Sequence, residues 1–191
     1  MTTGPLDGWP ALGGVELAAR ERALQKALDL SCAYINQRER TVAEVRSQLE
    51  RKGVSEADAG AAVELLIEQH LLDDERFAQL FVSDKRELER WGVERIRRGL
   101  SARGIDRELA ERALAAGSDT IDDANLDFPR AEHRDDRCGG ELGRALELLR
   151  RRFPDPPRER RDRERALGML LRKGYEHELA SDALNAHARE E

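Results

Sequence analysis

The sequence contains few β-branched residues, few aromatic residues and only two cysteines. Val, Ile and Thr number 7, 5 and 4 among 191 residues, and aromatic residues make up 4%. Because strands are enriched in these residue types, a large sheet is excluded, whereas the abundance of Ala, Leu, Arg and Glu favours helices. Cys32 and Cys138 are far apart and provide neither a disulfide framework nor a Cys-x-x-Cys site, so we interpret them as ordinary thiols in a reducing compartment.

Long apolar runs and catalytic motifs are also missing. No run approaches the roughly 18 apolar residues that a membrane span needs, and the segment Met1–Pro10 lacks the basic and apolar regions of a signal peptide. We therefore expect a soluble, cytoplasmic protein that is not bound to a membrane. The sequence has no phosphate-binding loop, no nucleophile elbow and no His or Cys spacing typical of metal ligands. These absences predict a protein that is not an enzyme and has no catalytic residues, no cofactor and no metal site.

Acidic residues outnumber basic ones, but the two kinds are distributed unevenly. The chain has 33 Lys and Arg against 39 Asp and Glu, a net charge of −6, which argues against a simple nucleic-acid coat. Residues 85–104 nevertheless contain 7 basic and 3 acidic side chains, and residues 141–175 contain 11 and 6. These two basic zones predict that part of the surface meets a polyanion or an acidic partner. The alternative is that a charge-rich helical protein carries Arg and Glu on its solvated faces.

Three segments of the sequence share one ending: Leu49–Gly53, Leu100–Gly104 and Leu170–Gly174. Each consists of Leu, three residues of which the last is Lys or Arg, and Gly, and an apolar residue follows the Gly. This is the pattern of a Schellman helix stop, in which Gly adopts the left-handed conformation and the next residue packs on the Leu. Apolar residues at helical spacing precede each ending and follow each Gly, so we predict a helix on both sides.

Capping residues mark several helix starts. Thr41, followed three residues later by Glu44, is a candidate capping box for a helix that ends at the first of these stops. Ser55 and Asp106 are candidate N-caps for the helices that follow the first and second stops.

The three endings divide the chain into three-helix units of about 50 residues. Gly53 and Gly104 are 51 residues apart, whereas Gly104 and Gly174 are 70 apart, which places an acidic, aperiodic insert before the third unit. We predict an all-α fold of three tandem three-helix repeats that forms an elongated, curved solenoid-like body. The predicted parts are a flexible N-terminal tail at 1–20, the first repeat at 21–72, the second at 73–116, an acidic linker at 117–140 and the third repeat at 141–191.

Residues of the two basic zones are the candidate binding residues. When Ile96 and Leu100 face the core, Arg95 and Arg98 fall on the opposite, solvated face of the same helix. Guanidinium groups beside an exposed indole suit phosphate contacts with stacking, so Trp91 is included; the alternative is that its ring plugs the core at a helix corner. The predicted partner- or DNA-binding residues are Lys85, Arg86, Arg90, Trp91, Arg95, Arg97, Arg98, Arg103, Arg150, Arg151, Arg172 and Lys173.

The segment Leu72–Asp106 contains a set of motifs that points to one family. It has Asp-Asp-x-x-Phe-Ala at Asp73–Ala78 and Arg-x-x-x-x-x-Gly at Arg86–Gly92, followed by Ile96, Leu100 and Gly104. With these motifs the chain resembles the RecX family of recombinase regulators, and the resemblance extends over 27–114 and 141–188. The matching residues of the other repeats are Tyr34, Arg38, Leu49, Lys52 and Gly53 in the first and Leu170, Arg172, Gly174 and Tyr175 in the third.

The resemblance implies an all-helical, non-enzymatic regulator that binds the RecA recombinase, both free and as a filament on single-stranded DNA. Members of the family lie along the filament groove and modulate, usually inhibit, ATP hydrolysis, strand exchange and co-protease activity. The implied setting is homologous recombination, DNA repair and the SOS response, with single-stranded DNA bound weakly or through the filament. We expect the protein to be a monomer.

Two other functions fit the residues without the resemblance. The basic zones suit a helical nucleic-acid-binding module that acts without a recombinase, and the repeats alone suit a helical scaffold for protein interactions. Binding to naked single-stranded DNA distinguishes these functions from that of a recombinase regulator. A regulator of net charge −6 is expected to bind such DNA weakly and with strong salt dependence.

Overall fold

The periodic segments of the sequence fold into helices. The computed structural model describes residues 14–116 and 140–190, and within these ranges the chain forms nine α-helices and no strand, none of them long and apolar enough to cross a membrane. This confirms the predicted all-α fold of three tandem three-helix repeats. The helices are α1 (Gly14–Ile35), α2 (Val42–Arg51), α3 (Glu56–Glu68), α4 (Asp74–Glu87), α5 (Val93–Ser101), α6 (Arg107–Ala116), α7 (Glu141–Arg152), α8 (Arg160–Lys173) and α9 (His177–His187).

Each repeat has an apolar core of its own. The chain divides into two compact units, Met1–Asp73 with α1–α3 and Asp74–Glu191 with α4–α9, and the second unit contains two separate cores. In each core the Leu that opens the repeated ending is 0% exposed: these residues are Leu49, Leu100 and Leu170. Full burial of such a side chain stabilises the fold by about 1.5–3 kcal/mol, so the repeated Leu anchors the middle helix of each repeat.

Glycine ends the middle helix of every repeat in the left-handed conformation. The φ angle is +72° at Gly53, +79° at Gly104 and +89° at Gly174. In each case the N–H of the residue after the Gly donates to the carbonyl oxygen of the repeated Leu, which is the defining hydrogen bond of the Schellman motif. These bonds join Val54 to Leu49, Ile105 to Leu100 and Tyr175 to Leu170, at 3.1, 3.1 and 3.2 Å, and they confirm the predicted helix stops.

The predicted helix starts are also present. The Thr41 hydroxyl accepts the N–H of Glu44 at 3.2 Å, and the Glu44 carboxylate accepts the N–H of Thr41 at 3.3 Å, which confirms the capping box. The Ser55 hydroxyl and the Asp106 carboxylate each accept a backbone N–H from three residues later, at 3.2 and 2.9 Å. Each of these caps satisfies an N–H group that the helix itself leaves unpaired.

The start of the first repeat differs from the prediction. Helix α1 begins at Gly14, so the predicted tail at 1–20 is too long. The segment 14–20 is rich in helix-forming Ala, Leu, Glu and Arg, but the side chains of 16–20 are all exposed, which leaves no apolar periodicity to reveal the helix. The rest of the predicted tail, residues 1–13, and residues 117–139 of the predicted linker lie outside the described residues, while Gly140 is the N-cap of α7.

Candidate functional site

The second and third repeats are joined where α5 begins, a contact that we call the repeat joint. Gly92 precedes α5 and offers no side-chain cap to the unpaired N–H groups of the first turn. The end of α8 supplies acceptors instead: the N–H of Gly92 donates to the Lys173 carbonyl at 2.8 Å, and that of Glu94 donates to the Gly174 carbonyl at 3.3 Å. The Glu141 carboxylate accepts the N–H of the intervening residue at 2.9 Å. The negative end of one helix dipole thus meets the positive end of another.

Two glycines make this close approach possible. A β-carbon on Gly92 would lie 2.4 Å from the carbonyl oxygen of Gly174, and one on Gly174 would lie 2.3 Å from the β-carbon of Arg95. Both distances are far below van der Waals contact, so a larger residue at either position would separate the two repeats. The sequence pattern indicates only one of the two roles of Gly174, since it shows the helix stop but not the contact with the second repeat.

Side chains of the third repeat also contact the turn before α5. The Tyr175 hydroxyl donates to the carbonyl oxygen of Arg90 at 3.1 Å, and the Lys173 ammonium group donates to that of Glu89 at 2.8 Å. Tyr175 is 2% exposed, and its burial raises the pKa of the hydroxyl to about 12, so the hydroxyl keeps its proton, and its role as a donor, to a higher pH than an exposed tyrosine does. Lys173, a predicted binding residue, is therefore engaged inside the protein.

Arg86 lies inside the second repeat rather than on its surface. The side chain is 6% exposed and donates from Nη2 to the carbonyl oxygen of Leu114 at 2.8 Å, which links α4 to α6. Desolvation lowers the pKa of its guanidinium group. The prediction that Arg86 contacts a partner is wrong, because this position continues the buried stripe of Ala78 and Val82 at helical spacing.

Trp91 packs against the core of the second repeat. Its ring meets that of Phe81 edge to face, with centroids 6.4 Å apart, and the Arg95 guanidinium lies 4.1 Å from the Trp91 ring centroid. An aromatic pair and a cation over the ring both stabilise this arrangement. Of the two roles that the sequence left open for Trp91, the structure shows the packing role.

Arg95 is half-buried, whereas Arg98 is exposed. The Nη1 atom of Arg95 donates to the carbonyl oxygen of Arg172 at 2.9 Å, at the end of α8. The expectation that Arg95 lies on a solvated face holds only in part, because the third repeat covers this side of α5, a contact that the periodicity of one helix cannot show. Arg98, one turn further along, points to solvent as predicted, and its Nε donates to the carbonyl oxygen of Glu94 at 3.1 Å.

Carboxylates compensate the charge of several other predicted binding residues. Arg97 forms ion pairs with Glu94 and Glu111, and its Nε lies 2.6 Å from Glu111 Oε1. The hydrogen bond between Arg97 and Glu111 raises the pKa of the former and lowers the pKa of the latter. A cation with a carboxylate beside it attracts a polyanion less than an unpaired one. Further ion pairs join Lys85 to Glu89, Arg90 to Glu147 and Arg150 to Glu190.

The remaining predicted residues lie on the surface of the second and third repeats. Arg103 is half-buried over two aromatic rings, and Arg151 and Arg172 are exposed. We define the joint surface by Arg95, Arg98 and Arg172, because the first two share one face of α5 and the contact of Arg95 with the Arg172 carbonyl connects that face to α8. In the described part of the chain, no group of three or more His, Cys, Asp or Glu residues is placed to hold a metal ion.

Comparisons with known proteins connect these repeats to one family. Residues 73–114 match the model of the second three-helix domain of RecX. The chain is similar to the regulatory protein RecX of Mycolicibacterium vanbaalenii, with 31% identity over 172 residues, 87% of this chain and 85% of that protein. It is also similar to the regulatory protein RecX of Trichlorobacter lovleyi, with 31% identity over 145 residues, 74% of this chain and 82% of that protein.

Other similarities cover less of the relative or concern the fold alone. The match to the regulatory protein RecX of Lactobacillus delbrueckii, 37% identical over 97 residues, spans 51% of this chain but only 36% of that protein. The crystal structure of RecX from Lactobacillus salivarius superposes with a TM-score of 0.68 at 19% identity, over 87% of this chain and 97% of that chain. A second RecX crystal structure gives a TM-score of 0.66 at 20% identity, over 94% of this chain and 81% of that chain. This chain therefore has the same fold as both crystal structures.

Proposed function

The chain belongs to the RecX family of regulatory proteins, and on this premise we propose that it binds the RecA recombinase and inhibits it. The proposed targets are free RecA and, above all, the RecA filament on single-stranded DNA. The inhibited activities are ATP hydrolysis, strand exchange and co-protease activity, in homologous recombination, DNA repair and the SOS response. Family membership, which the motifs of 72–106 indicated, is confirmed by the family model and by relatives that match over most of their length.

The observation that carries the proposal beyond the family is the repeat joint. Main-chain hydrogen bonds from Gly92 and Glu94 to the end of α8 hold two repeats together, and Arg95 extends the contact to Arg172. The repeat joint fixes the backbone that carries the arginines of the joint surface. These arginines therefore lose less conformational freedom on binding, which lowers the entropic cost of association. A preorganised basic surface of this kind suits the acidic face of a protein assembly.

Inhibition follows from unequal affinity for the states of the recombinase. A ligand shifts an equilibrium only by the difference between its affinities for the two states. A protein that contacts neighbouring recombinase subunits in one filament state stabilises that state and hinders the rearrangement that accompanies ATP hydrolysis. In this proposal the protein acts as a cytoplasmic monomer, performs no catalysis of its own, and meets single-stranded DNA weakly or through the filament.

Co-sedimentation with RecA filaments tests the proposal. The protein is expected to sediment with filaments assembled on single-stranded DNA to a greater extent than with the same DNA alone. A protein that stays in the supernatant with filaments, at every ratio, would contradict the proposal. Equal sedimentation with filaments and with naked DNA would favour a nucleic-acid-binding module instead.

A matched pair of variants tests the joint surface in the same assay. Arg98→Glu reverses an exposed charge of the joint surface, and we expect filament binding to weaken about 10- to 100-fold, because hydrogen bonds to charged groups contribute about 1.5–3 kcal/mol. Arg112→Glu makes the same change of charge at an exposed position of α6 outside this surface and is expected to bind like the wild type. Arg95 is left unchanged because it also stabilises the repeat joint.

A further inference from the structure

Helix α3 of the first repeat has large apolar side chains on its outer side as well as in the core. Ile67 is 44% exposed, and Leu71, in the turn after the helix, is 51% exposed. Gly60, Glu64, Ile67 and Leu71 follow the spacing i, i+4, i+7 and i+11, so they lie along one side of α3 and the turn. We call these four residues, together with Glu68, the α3 face. Exposed apolar side chains that form a group mark an interaction surface.

The charges of the α3 face are negative and unpaired. Glu64 and Glu68 are exposed, and neither forms an ion pair or a side-chain hydrogen bond within the described ranges 14–116 and 140–190. Two copies of this face would bring like charges together, which is unfavourable, so a contact of the α3 face with itself is not expected. Its complement is a basic surface.

Gly60 has no evident role within the first repeat. It lies inside α3, where glycine weakens a helix relative to alanine. A β-carbon at this position would meet nothing within 4 Å, so the packing of the repeat does not require a glycine. A second helix that crosses α3 here would benefit from it, because helices approach each other more closely where the side chains at their contact are small.

Helix α8 of the third repeat has an outer face of opposite charge. Arg161, Arg165, Gly168 and Arg172 have the same spacing along α8, i, i+4, i+7 and i+11, and we call them the α8 face. Arg161 and Arg172 form no ion pair in the part of the chain that the structure describes. Arg165 has Asp162 at 3.3 Å, a pair with both side chains well exposed and therefore weak. The positive charge of the α8 face is thus largely available to a partner.

The α8 face also contains a glycine inside a helix. A β-carbon on Gly168 would lie 3.3 Å from Nη1 of Arg172, the mobile end of a side chain, so the core of the third repeat does not require this glycine either. The α3 face and the α8 face therefore have the same spacing, each has a glycine that its own repeat does not need, and their charges are opposite in sign. The chain itself supplies the basic surface that complements the α3 face.

The size of the two faces limits the strength of a contact between them. Each extends over about 16 Å of helix axis, and one pair of helices of this length buries less than the roughly 1,200–2,000 Å² of a stable interface. Such a contact is weak, so the protein stays a monomer in dilute solution. Copies associate only where they are concentrated.

We propose that the α3 face of one copy docks on the α8 face of a second copy. Glu64 and Glu68 pair with the arginines of the second copy, and Ile67 and Leu71 pack against its helix. Because the two faces differ, the contact is head to tail, and each copy keeps a face to which a further copy can bind. The contact requires no recombinase, so the inference goes beyond the proposed function and does not depend on it.

Sedimentation equilibrium of the full chain tests this inference, over concentrations from about 10 μM to about 1 mM. We expect the average mass of the wild type to rise above that of a monomer at the upper end of this range in about 0.01 M salt. In about 1 M salt, where the Debye length falls to about 3 Å, the protein is expected to stay monomeric at every concentration.

Two charge-reversed variants identify the faces in contact. Glu64→Arg with Glu68→Arg makes the α3 face basic, and Arg161→Glu with Arg165→Glu makes the α8 face acidic. Each variant alone opposes like charges, so we expect it to associate at least roughly tenfold more weakly than the wild type. An equimolar mixture of the two again offers faces of opposite charge at every contact, and its average mass is expected to rise as that of the wild type does.

Two control variants make the same changes of net charge at exposed positions outside both faces. Glu50→Arg with Glu87→Arg lies on α2 and α4, and Arg107→Glu with Arg112→Glu lies on α6. Both controls are expected to associate like the wild type, and circular dichroism checks that the helices of all variants are intact.

Four results would overturn the inference. The wild type would stay monomeric at low salt at every concentration, either charge-reversed variant would associate as strongly as the wild type, their mixture would stay monomeric, or the controls would lose association as well. The last result would assign association to net charge rather than to the two faces. Because RecA is absent from this experiment, its failure leaves the proposed function standing, and a failure of filament co-sedimentation leaves this inference standing.

Discussion

The hydroxyl of Tyr175, in the third repeat, donates a hydrogen bond to the carbonyl oxygen of Arg90, in the second, at 3.1 Å. Arg90 has a φ of +53°, in the left-handed region that costs a residue with a β-carbon roughly 1–2 kcal/mol. The turn that leads into α5 is therefore held by a residue of the neighbouring repeat. This contact makes the conformation of the second repeat depend on the presence of the third.

Replacement of Tyr175 by Phe is expected to lower the free energy of unfolding by about 1 kcal/mol, the usual net contribution of one buried hydrogen bond.

The pH dependence of the unfolding free energy, compared between the wild type and Tyr175→Phe, tests the burial of this hydroxyl. The pKa of Tyr175 is raised from 10.0 to about 12, so the unfolded state loses this proton at a lower pH than the folded state does. Its stabilising effect is complete below about pH 10 and is lost as the pH rises towards 12. Raising the pH from about 9 to about 11 should therefore lower the free energy of unfolding by about 1 kcal/mol more for the wild type than for Tyr175→Phe. Urea unfolding at the two pH values measures this difference. Identical pH dependence of the two proteins would contradict the burial of this hydroxyl.

Gly174→Ala and Gly53→Ala separate the helix stop from the repeat joint. Both glycines have positive φ, but a β-carbon on Gly53 meets nothing within 4 Å, whereas one on Gly174 lies 2.5 Å from the backbone nitrogen of Arg95. We expect Gly53→Ala to cost about 1 kcal/mol of unfolding free energy and Gly174→Ala to cost about 2–4 kcal/mol, because the latter also forces the repeats apart. Denaturant unfolding measures both values. Equal costs would mean that the glycine at the joint serves only to end its helix.

Gly168→Ala is expected to stabilise the protein. The residue is helical, and the contact that a β-carbon would meet is the mobile end of the Arg172 side chain, which can move at little cost. The gain in helix propensity is about 0.5–1 kcal/mol. Gly60→Ala in α3 is the matched control, since a β-carbon there meets nothing within 4 Å and gives the same gain without displacing an arginine. A raised melting midpoint for Gly60→Ala but a lowered one for Gly168→Ala would show that the space beside Gly168 is essential to the fold.

The features that could be predicted from the sequence are those that depend on residues close together in the chain. The Schellman stops at Gly53, Gly104 and Gly174 need only a Leu, a Gly and an apolar residue within six positions. The capping box at Thr41 likewise depends on a residue three positions away. Local geometry of this kind repeats whenever the residues repeat, so three copies of one pattern predict three copies of one structure.

The features that could not be predicted depend on contacts between repeats or on a charged residue in an apolar position. Arg95 appears solvated when α5 is considered alone, and only the position of α8 shows that it is covered. The charge of Arg86 alone predicts a binding residue, whereas its helical spacing from Val82 places it in the core. Gly92 and Gly168 carry a usable signal, because a glycine that ends no helix often marks a close approach of another group.

The rate of ATP hydrolysis by RecA on single-stranded DNA, measured while this protein is added in increasing amounts, tests the central claim most directly. We predict a rate that falls with concentration, a similar fall with Arg112→Glu, and a fall that needs about 10- to 100-fold more protein with Arg98→Glu. If Arg98→Glu inhibited hydrolysis fully at the concentrations at which the wild type does, the role proposed for the joint surface would be wrong. The claim that the protein inhibits RecA would still stand. A rate of hydrolysis that stays constant at every ratio of wild-type protein to RecA would contradict the claim that the protein inhibits the recombinase.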